Sequence, residues 1–498
     1  MCGIAGTYGD TEQEIETLLE SMAHRGPDGR AVMHNHISSF GHVRLAIVDV
    51  EGGQQPISDP SGQQWLICNG EIYNHEQLRQ QHTDYPYKTD SDSEIILPLY
   101  QEHGVEAVQH LDGMFAFALL DEDGALYMAR DPLGIKPLYY GQQNGTMFFA
   151  SEIKVLQGNV EQIHEFPHGH WYHSDTGFVP YYSVENVIAE QIESPNPTFS
   201  QIQDTLRVAD HKRLMSDVPV GVFLSGGLDS SIIAALVAEK LDSFHTFNVG
   251  IADGGEDPIY ARMVSEHLGT QHHEYVYTTD ELLDAVPTVI YHLESFDPLL
   301  IRSALPNYFL ARLATEFVTV VLCGEGADEL MSGYHYLKKY DTPQALQTEL
   351  TRITDGLHNC NLQRVDRMTM AHGLEGRVPF LDTEFIALAS ALDLDQRIRS
   401  DNSDDIEKWA LRKAFEDMLP HEVVWRKKSK FSEGAGSAHV LEQVAEREIS
   451  DNEFMREGQR FQAEVGRSLA SKEELYCYRI FRQFFAPAVV PMVSQWRE

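Results

Sequence analysis

A cysteine stands second in this chain, and residues 225–231 read Ser-Gly-Gly-Leu-Asp-Ser-Ser. The start is Met1-Cys2-Gly3, and a small second residue generally permits removal of Met1. Cys2 would then carry a free α-amine beside its own thiol. An α-amine titrates near ~8, so at neutral pH part of it can act as a base. Nucleophile and base would sit on one residue, the arrangement of an N-terminal nucleophile. In the second segment, Gly226 and Gly227 let the backbone close around phosphate oxygens, and a following helix N-terminus adds N–H donors and a favourable dipole. The segment lacks the lysine of G-x-x-x-x-G-K-[ST], which argues against γ-phosphate transfer. The two features join a thiol-driven hydrolysis to a nucleotide-driven activation.

A lone cysteine is more often a buried structural residue, and singly Arg44 would be a surface ion pair and Asp92 a cap or turn residue. Their order changes this. His24-Arg25-Gly26-Pro27-Asp28, His42-Val43-Arg44-Leu45, Asn69-Gly70-Glu71-Ile72-Tyr73-Asn74 and Asp92 follow Cys2 as they do in class II glutamine amidotransferases, which residues 2–182 resemble. The resemblance implies that Cys2 attacks the side-chain amide of glutamine and that Asn69 and the Gly70 N–H receive the oxyanion. It implies Arg44 for the α-carboxylate of glutamine, and Glu71 and Asp92 for its α-ammonium. His24 is left between a catalytic and a loop-ordering role.

Ser225 to Ser231 resembles the pyrophosphate loop of the ATP-pyrophosphatases, which split ATP between the α and β phosphates and make an acyl-adenylate. By that resemblance Leu224, Ser225, Gly226, Gly227, Asp229, Ser230, Val249, Cys323 and Gly324 contact ATP, Asp229 and Asp328 hold Mg²⁺, and Glu325 serves adenylate formation. Asp328-Glu329 could instead be a helix-start charge pair, and Leu224 and Val249 plain core residues. Tyr291 to Glu294, Ile301-Arg302, Glu375 to Asp382, Trp425-Arg426-Lys427-Lys428 and Phe431 to Gly434 resemble the asparagine synthetase family, and the likeness runs from Cys2 to about Phe485. It implies ATP, aspartate and glutamine as substrates, with asparagine, glutamate, AMP and diphosphate as products. It also implies that Lys428 steadies charge on the transferred phosphate and that Arg302 holds the acceptor's carboxylate.

Two positions depart from that family. Cys323 stands where a serine is usual before Gly-Glu-Gly, and Leu299-Leu300 stand where two threonines are usual, near the acceptor site. Two hydroxyls become two apolar side chains, so a site built to hydrogen-bond a polar acid loses partners. The alternatives to aspartate are another amino-acid-like carboxylate with the same mechanism, or a catalytically silent relative.

The elements that must position these residues fall into two patterns. The form of Thr11-Glu12-Gln13-Glu14 is a capping box, with Ile15, Leu18, Leu19 and Met22 following at helical spacing. Strand-like runs occupy Leu45–Val50, Trp65–Cys68, Met114–Leu120, Leu126–Ala129 and Met147–Ala150, with a hairpin turn at Asp121 to Gly124. These predict antiparallel sheets, and the resemblance makes them an N-terminal-nucleophile αββα sandwich over 2–183. Residues 184–198 are polar and proline-punctuated and read as a linker. Beyond it, strands at Val220–Leu224, Phe244–Val249, Tyr275–Tyr277 and Phe317–Leu322 alternate with helices. That predicts a parallel-sheet α/β domain over 199–486, with its site at the strand C-termini.

Composition excludes several classes. Of 498 residues, 76 are acidic and 38 basic, a net charge of −38. Such a surface repels nucleic acid and anionic membranes. The five scattered cysteines form no disulfide framework and fit a reducing cytoplasm. No apolar run approaches ~18 residues, and no signal peptide precedes Cys2. The expected partners are small molecules, and the sequence leaves the oligomeric state open, a homodimer among the options.

Overall fold

The computed structural model describes residues 2–9, 14–191, 194–252, 256–401, 404–427 and 431–493. Two six-stranded antiparallel sheets fill the first part of the chain. One runs, in spatial order, Ile163–Glu165, Tyr139–Gln143, Thr146–Ala150, Gly3–Tyr8, Ser38–Arg44 and Gly29–His34. The other runs Gly177–Pro180, His170–His173, Leu126–Arg130, Gly113–Leu120, Trp65–Ile72 and Ile57–Ser58. Alternation along the strands turns Ile4, Phe40, Ile67, Ala116, Ala118 and Phe149 into the space between them. The fit is close: a Cβ on Gly6 would stand 2.2 Å from the Phe149 ring.

Helix Ile15–Glu20 covers the outer face of the first sheet through Ile15, Leu18 and Leu19. Helix Ile96–His103 and its neighbours cover the second, against Phe115, Phe117 and Leu119. The layers are therefore αββα. Of the box at Thr11 to Glu14, residues 11–13 lie outside the described residues.

Two local expectations fail. Leu45–Val50 is not a strand. The Arg44 guanidinium takes the carbonyls of Val50 (2.9 Å) and Asp49 (2.5 Å), so these oxygens are bent toward a side chain and not along a ladder. Asp49 also adopts φ 52°, which no strand residue does. Residues 184–198 are not simply a linker. Val184–Gln191 is a helix whose buried Val184 and Ile188, four apart, face the second part of the chain.

The second part holds a five-stranded, wholly parallel sheet in the order Gln271–Tyr277, His245–Ile251, Val220–Phe223, Val320–Leu322, Glu375–Arg377. Helices Leu228–Ala238, Asp257–Leu268, Pro298–Ala314 and Asn361–Met370 pack around it. The first crossovers from Val220–Phe223 go to one side, and the later strands lie on the other. A crevice must open where the direction reverses, at the C-terminal ends of Val220–Phe223 and Val320–Leu322.

A buried ionic seam ties the two parts together. Arg25, fully buried, donates to Asp366 Oδ2 (2.8 Å) and Oδ1 (3.0 Å) and to Glu152 (3.0 Å). Arg367 donates to Glu294 (3.0 Å), and Glu294 accepts from the backbone of Ile153 (3.0 Å) and Lys154 (2.8 Å). No helix among the described residues is long and apolar enough to cross a membrane.

Candidate active sites

Cys2 stands just before the central strand Gly3–Tyr8 and is 8% exposed. Its Sγ lies 3.9 Å from the Leu45 carbonyl, and burial pushes the thiol above its ordinary range. The Cys2 nitrogen donates to Asn69 Oδ1 at 3.1 Å across the gap between the sheets. That bond fixes the carboxamide, and Asn69 Nδ2 is left buried without a hydrogen-bond partner. A buried amide donor without an acceptor is costly, and an oxyanion formed beside Cys2 would satisfy it. At the next residue, a Cβ on Gly70 would stand 2.0 Å from the Met114 carbonyl, so only glycine fits.

Glu71 and Asp92 are buried nearby. Burial, then Glu375 and Asp92, raises the Glu71 carboxyl well above the usual range. Asp92, accepting from Ile72 N at 2.6 Å, is also raised by burial. The only cation within ion-pair reach of Glu71 among the described residues is Arg377, 3.7 Å away. An arriving ammonium would supply countercharge that this pocket lacks. Arg44 makes no ion pair among the described residues, so its charge suits a ligand carboxylate. His24 faces Glu152 (3.2 Å) and stacks edgewise on His292, so it belongs to the seam between the two parts and not to the thiol. Arg25 was not singled out from the sequence. Its Nε donates to the Cys2 carbonyl (3.0 Å) while its fork grips Asp366, linking the nucleophile's backbone to helix Asn361–Met370.

At the crevice of the parallel sheet lies a cavity of about 350 Å³. Leu224, Ser225, Gly227, Asp229, Ser230, Val249, Cys323, Gly324, Glu325 and Asp328 line it, as do Leu299, Leu300 and Arg302. Leu224 and Val249 are thus core residues that also face the cavity. Gly226 turns behind the loop at φ +70°, where a Cβ would meet the Ala261 nitrogen at 2.4 Å. Ser225 Oγ and Ser230 Oγ lie 3.0 Å apart, so the loop is shaped before any ligand arrives. Helix Leu228–Ala238 begins at Gly227 with no side-chain cap, which leaves its first N–H groups for an anion. A Cβ on Gly324 would stand 2.8 Å from Asp229 Cβ, so the two loops meet through glycine.

Lys408 is the residue that sequence reasoning missed. It sits at φ 56°, buried, just before helix Trp409–Ala414. Its Nζ lies 2.6 Å from Asp229 Oδ2 and also contacts Asp328 Oδ1. Burial works to lower its pKa, but the Asp229 and Asp328 charges more than offset this and hold the ammonium above its ordinary value. One cation therefore reaches both carboxylates, and two hard oxygen donors suit Mg²⁺. Lys428 lies outside the described residues. From the same basic run, Arg426 pairs with Asp257 (2.9 Å) and lies over the Tyr260 ring, and Lys427 lines the cavity.

Arg302 differs from expectation. Glu473 already holds its guanidinium bidentately, with Nε to Oε1 at 2.8 Å and Nη2 to Oε2. The fork that the resemblance assigns to an acceptor carboxylate faces the cavity and is paired here with a helix far along the chain. Glu325 pairs with Arg364. Cys323 donates to the Arg377 carbonyl (3.4 Å), and burial pushes its thiol up to about 12, so it stays neutral. Asp297 caps helix Pro298–Ala314 by accepting from Leu299 N (2.8 Å) and Leu300 N (3.3 Å). Leu299 is 43% exposed toward the cavity and Leu300 is buried in its wall.

Comparison with known proteins gives a consistent pattern. A glutamine amidotransferase domain family matches residues 1–180, and an asparagine synthase family matches 201–352 and 338–497. Asparagine synthetase [glutamine-hydrolyzing] 1 of Saccharomyces cerevisiae is 37% identical, covering 100% of this chain and 96% of the relative. A probable asparagine synthetase [glutamine-hydrolyzing] of Schizosaccharomyces pombe is 38% identical with the same coverage. Asparagine synthetase [glutamine-hydrolyzing] 2 of Arabidopsis thaliana is 37% identical over 99% of this chain and 89% of its own length.

Proposed function

The chain belongs to the glutamine-hydrolysing asparagine synthetase family, and from that premise we propose that it converts ATP, aspartate, glutamine and water to AMP, diphosphate, asparagine and glutamate. Residues 2–183 would be the glutaminase and 199–486 the synthetase, working in the cytoplasm. One observation carries the reading. A single chain holds an orphaned Asn69 Nδ2 beside Cys2, and also two carboxylates gathered on one cation at the crevice of a parallel sheet.

With Met1 removed, the Cys2 α-amine accepts the thiol proton as sulfur bonds to the glutamine carboxamide carbon. The oxyanion accepts hydrogen bonds from Asn69 Nδ2–H and Gly70 N–H. The α-amine returns its proton to the leaving nitrogen, ammonia departs, and water hydrolyses the thioester to glutamate. Arg44 holds the substrate's α-carboxylate, and Glu71 and Asp92 its α-ammonium. In the synthetase half, the acceptor's side-chain carboxylate attacks the α-phosphorus of ATP and diphosphate leaves. The Ser225–Ser230 loop and the uncapped helix start hold the phosphates. Asp229 and Asp328 would hold Mg²⁺, which when bound neutralises charge on the leaving diphosphate. Lys408, whose ammonium reaches both carboxylates, would add positive charge beside the diphosphate oxygens. Ammonia then attacks the acyl-adenylate carbon and AMP departs.

Cys2→Ala tests the division of labour. It should abolish glutamine hydrolysis and glutamine-dependent synthesis while leaving synthesis from ammonium salts. Normal glutaminase activity in Cys2→Ala, or loss of the ammonium-dependent reaction in a folded variant, would sink the assignment.

The apolar pair at the cavity wall supports a second reading of the acceptor. Leu299 and Leu300 offer no hydroxyl to a polar acid, and a missing hydrogen bond is worth about 1–3 kcal/mol. An acid bulkier or less polar than aspartate would then rival it in kcat/KM. The double variant L299T/L300T should shift preference toward aspartate; an unchanged ratio would locate specificity elsewhere in the cavity.

A further inference from the structure

We propose that His82, Glu102 and His103 form a binding site for a zinc-class divalent cation. None of the three belongs to either candidate active site. His82 ends helix His75–Gln81, and Glu102 and His103 end helix Ile96–His103, so two helix C-termini converge there. Their ligand atoms all lie within 4.8 Å of one another. His82 Nε2 is 2.8 Å from Glu102 Oε2, and His103 Nε2 is 3.8 Å from Glu102 Oε1.

The hydrogen-bond logic of His82 points to a cation. Its Nδ1 lies 2.8 Å from the Leu78 carbonyl, which can only accept, so Nδ1 carries a proton. In the neutral ring Nε2 then presents a lone pair to a carboxylate oxygen. Two acceptors at 2.8 Å require a positive charge between them, either a proton on Nε2 or a metal ion in its stead. A ring N–H donated to a main-chain carbonyl is also the outer bond that orients histidine ligands in metal sites. His103 is a second imidazole turned to the same carboxylate, and its ring is stacked on His110 at 4.2 Å and 20°.

Bonds of about 2.0–2.2 Å around a tetrahedral zinc set neighbouring ligands about 3.4 Å apart. That value lies between the two observed separations, and with the ligand atoms all within 4.8 Å of one another, side-chain rotations can close the site. Two imidazoles and one carboxylate select zinc or its late-transition neighbours over magnesium, which takes oxygen ligands. Water would complete the shell, since Glu102 is largely exposed. The bound cation would clip together the ends of the two helices that flank residues 83–95, the segment that carries Asp92.

The test is calorimetric titration of the chelator-treated full-length protein with zinc chloride, beside the variants Glu102→Gln and His82→Gln/His103→Gln. The wild-type chain should take up one more zinc equivalent, at micromolar affinity, than the double variant. Glu102→Gln should weaken that equivalent by about tenfold or more, and excess magnesium should not displace it. Circular dichroism should be the same for all three. Equal zinc stoichiometry and affinity in wild type and double variant would overturn the site, as would the absence of zinc binding tighter than millimolar.

Discussion

Lys408 bridges Asp229 and Asp328, yet nothing about a single lysine ahead of a short helix distinguishes it in sequence. Its partners are 179 residues away in one case, and only the folded chain brings them together. The turn Ser225 to Ser230 was legible as a glycine turn between strand and helix, and it does line the cavity at that junction. The partner of Arg302 was hidden for the same reason as those of Lys408. The arginine fits a carboxylate ligand by type, but the carboxylate it holds is Glu473, 171 residues on. The Lys408 role makes a sharp expectation. Lys408→Met should slow diphosphate release by about 100–1000-fold, the usual loss when a charge stabiliser of the transition state is removed. Glutaminase activity should stay within a factor of about two, and Lys408→Arg should restore part of the synthetase rate. Equal loss of both activities would show that Lys408 supports folding and not phosphate chemistry.

His42 gives a second expectation at this scale. Burial drives its ring down to about 3, below the ordinary 6.5. A base with a depressed folded-state pKa stabilises fully above its unfolded pKa, and that contribution is lost as pH falls. Between pH 6.5 and 5 the loss is about 1.6 kcal/mol, approaching about 1.36 kcal/mol for each unit of pH only below the unfolded pKa. The unfolding midpoint of wild type should therefore fall more steeply over this range than that of His42→Gln. Parallel pH profiles for the two proteins would mean that the ring takes up its proton without unfolding.

Among the elements, the parallel sheet could be read from the chain because short apolar strands alternate with helical spacing, and its order creates the crevice. The helix Val184–Gln191 was hidden by its shortness and by the prolines that follow it. Val184 and Ile188 are its buried contacts, with Val187 packed beside them, and one i, i+3, i+4 set in eight residues is a short signal. Truncating a buried isoleucine typically costs about 2–4 kcal/mol. Ile188→Ala should lower the denaturant midpoint of the full chain accordingly, while the exposed Glu185→Ala should not. Equal, small effects would return the segment to the status of a linker. The false strand at Leu45–Val50 has a local cause: Arg44 captures the carbonyls that a ladder would need. Strand propensity is blind to a side chain that competes for backbone oxygens.

At the scale of the whole molecule, the two halves meet through charges that are buried on both sides. Arg25 touches the backbone of Cys2 and the carboxylate of Asp366 at once, so the thiol site is anchored to the synthetase half by direct bonds. Breaking such a pair by removing one partner is costly because the other charge stays buried. The seam therefore holds the two candidate sites in one fixed relation. Free ammonia in water is mostly protonated and no longer a nucleophile, so the proposed reaction calls for an internal route from Cys2 to the adenylate. The direct test is isotopic. The protein is supplied with ATP, magnesium, aspartate and glutamine labelled with ¹⁵N at the side-chain amide, in the presence of excess unlabelled ammonium. The asparagine formed should carry the label in nearly the proportion present in the glutamine. Label diluted to the composition of the bulk ammonium pool would contradict transfer between two sites of one molecule.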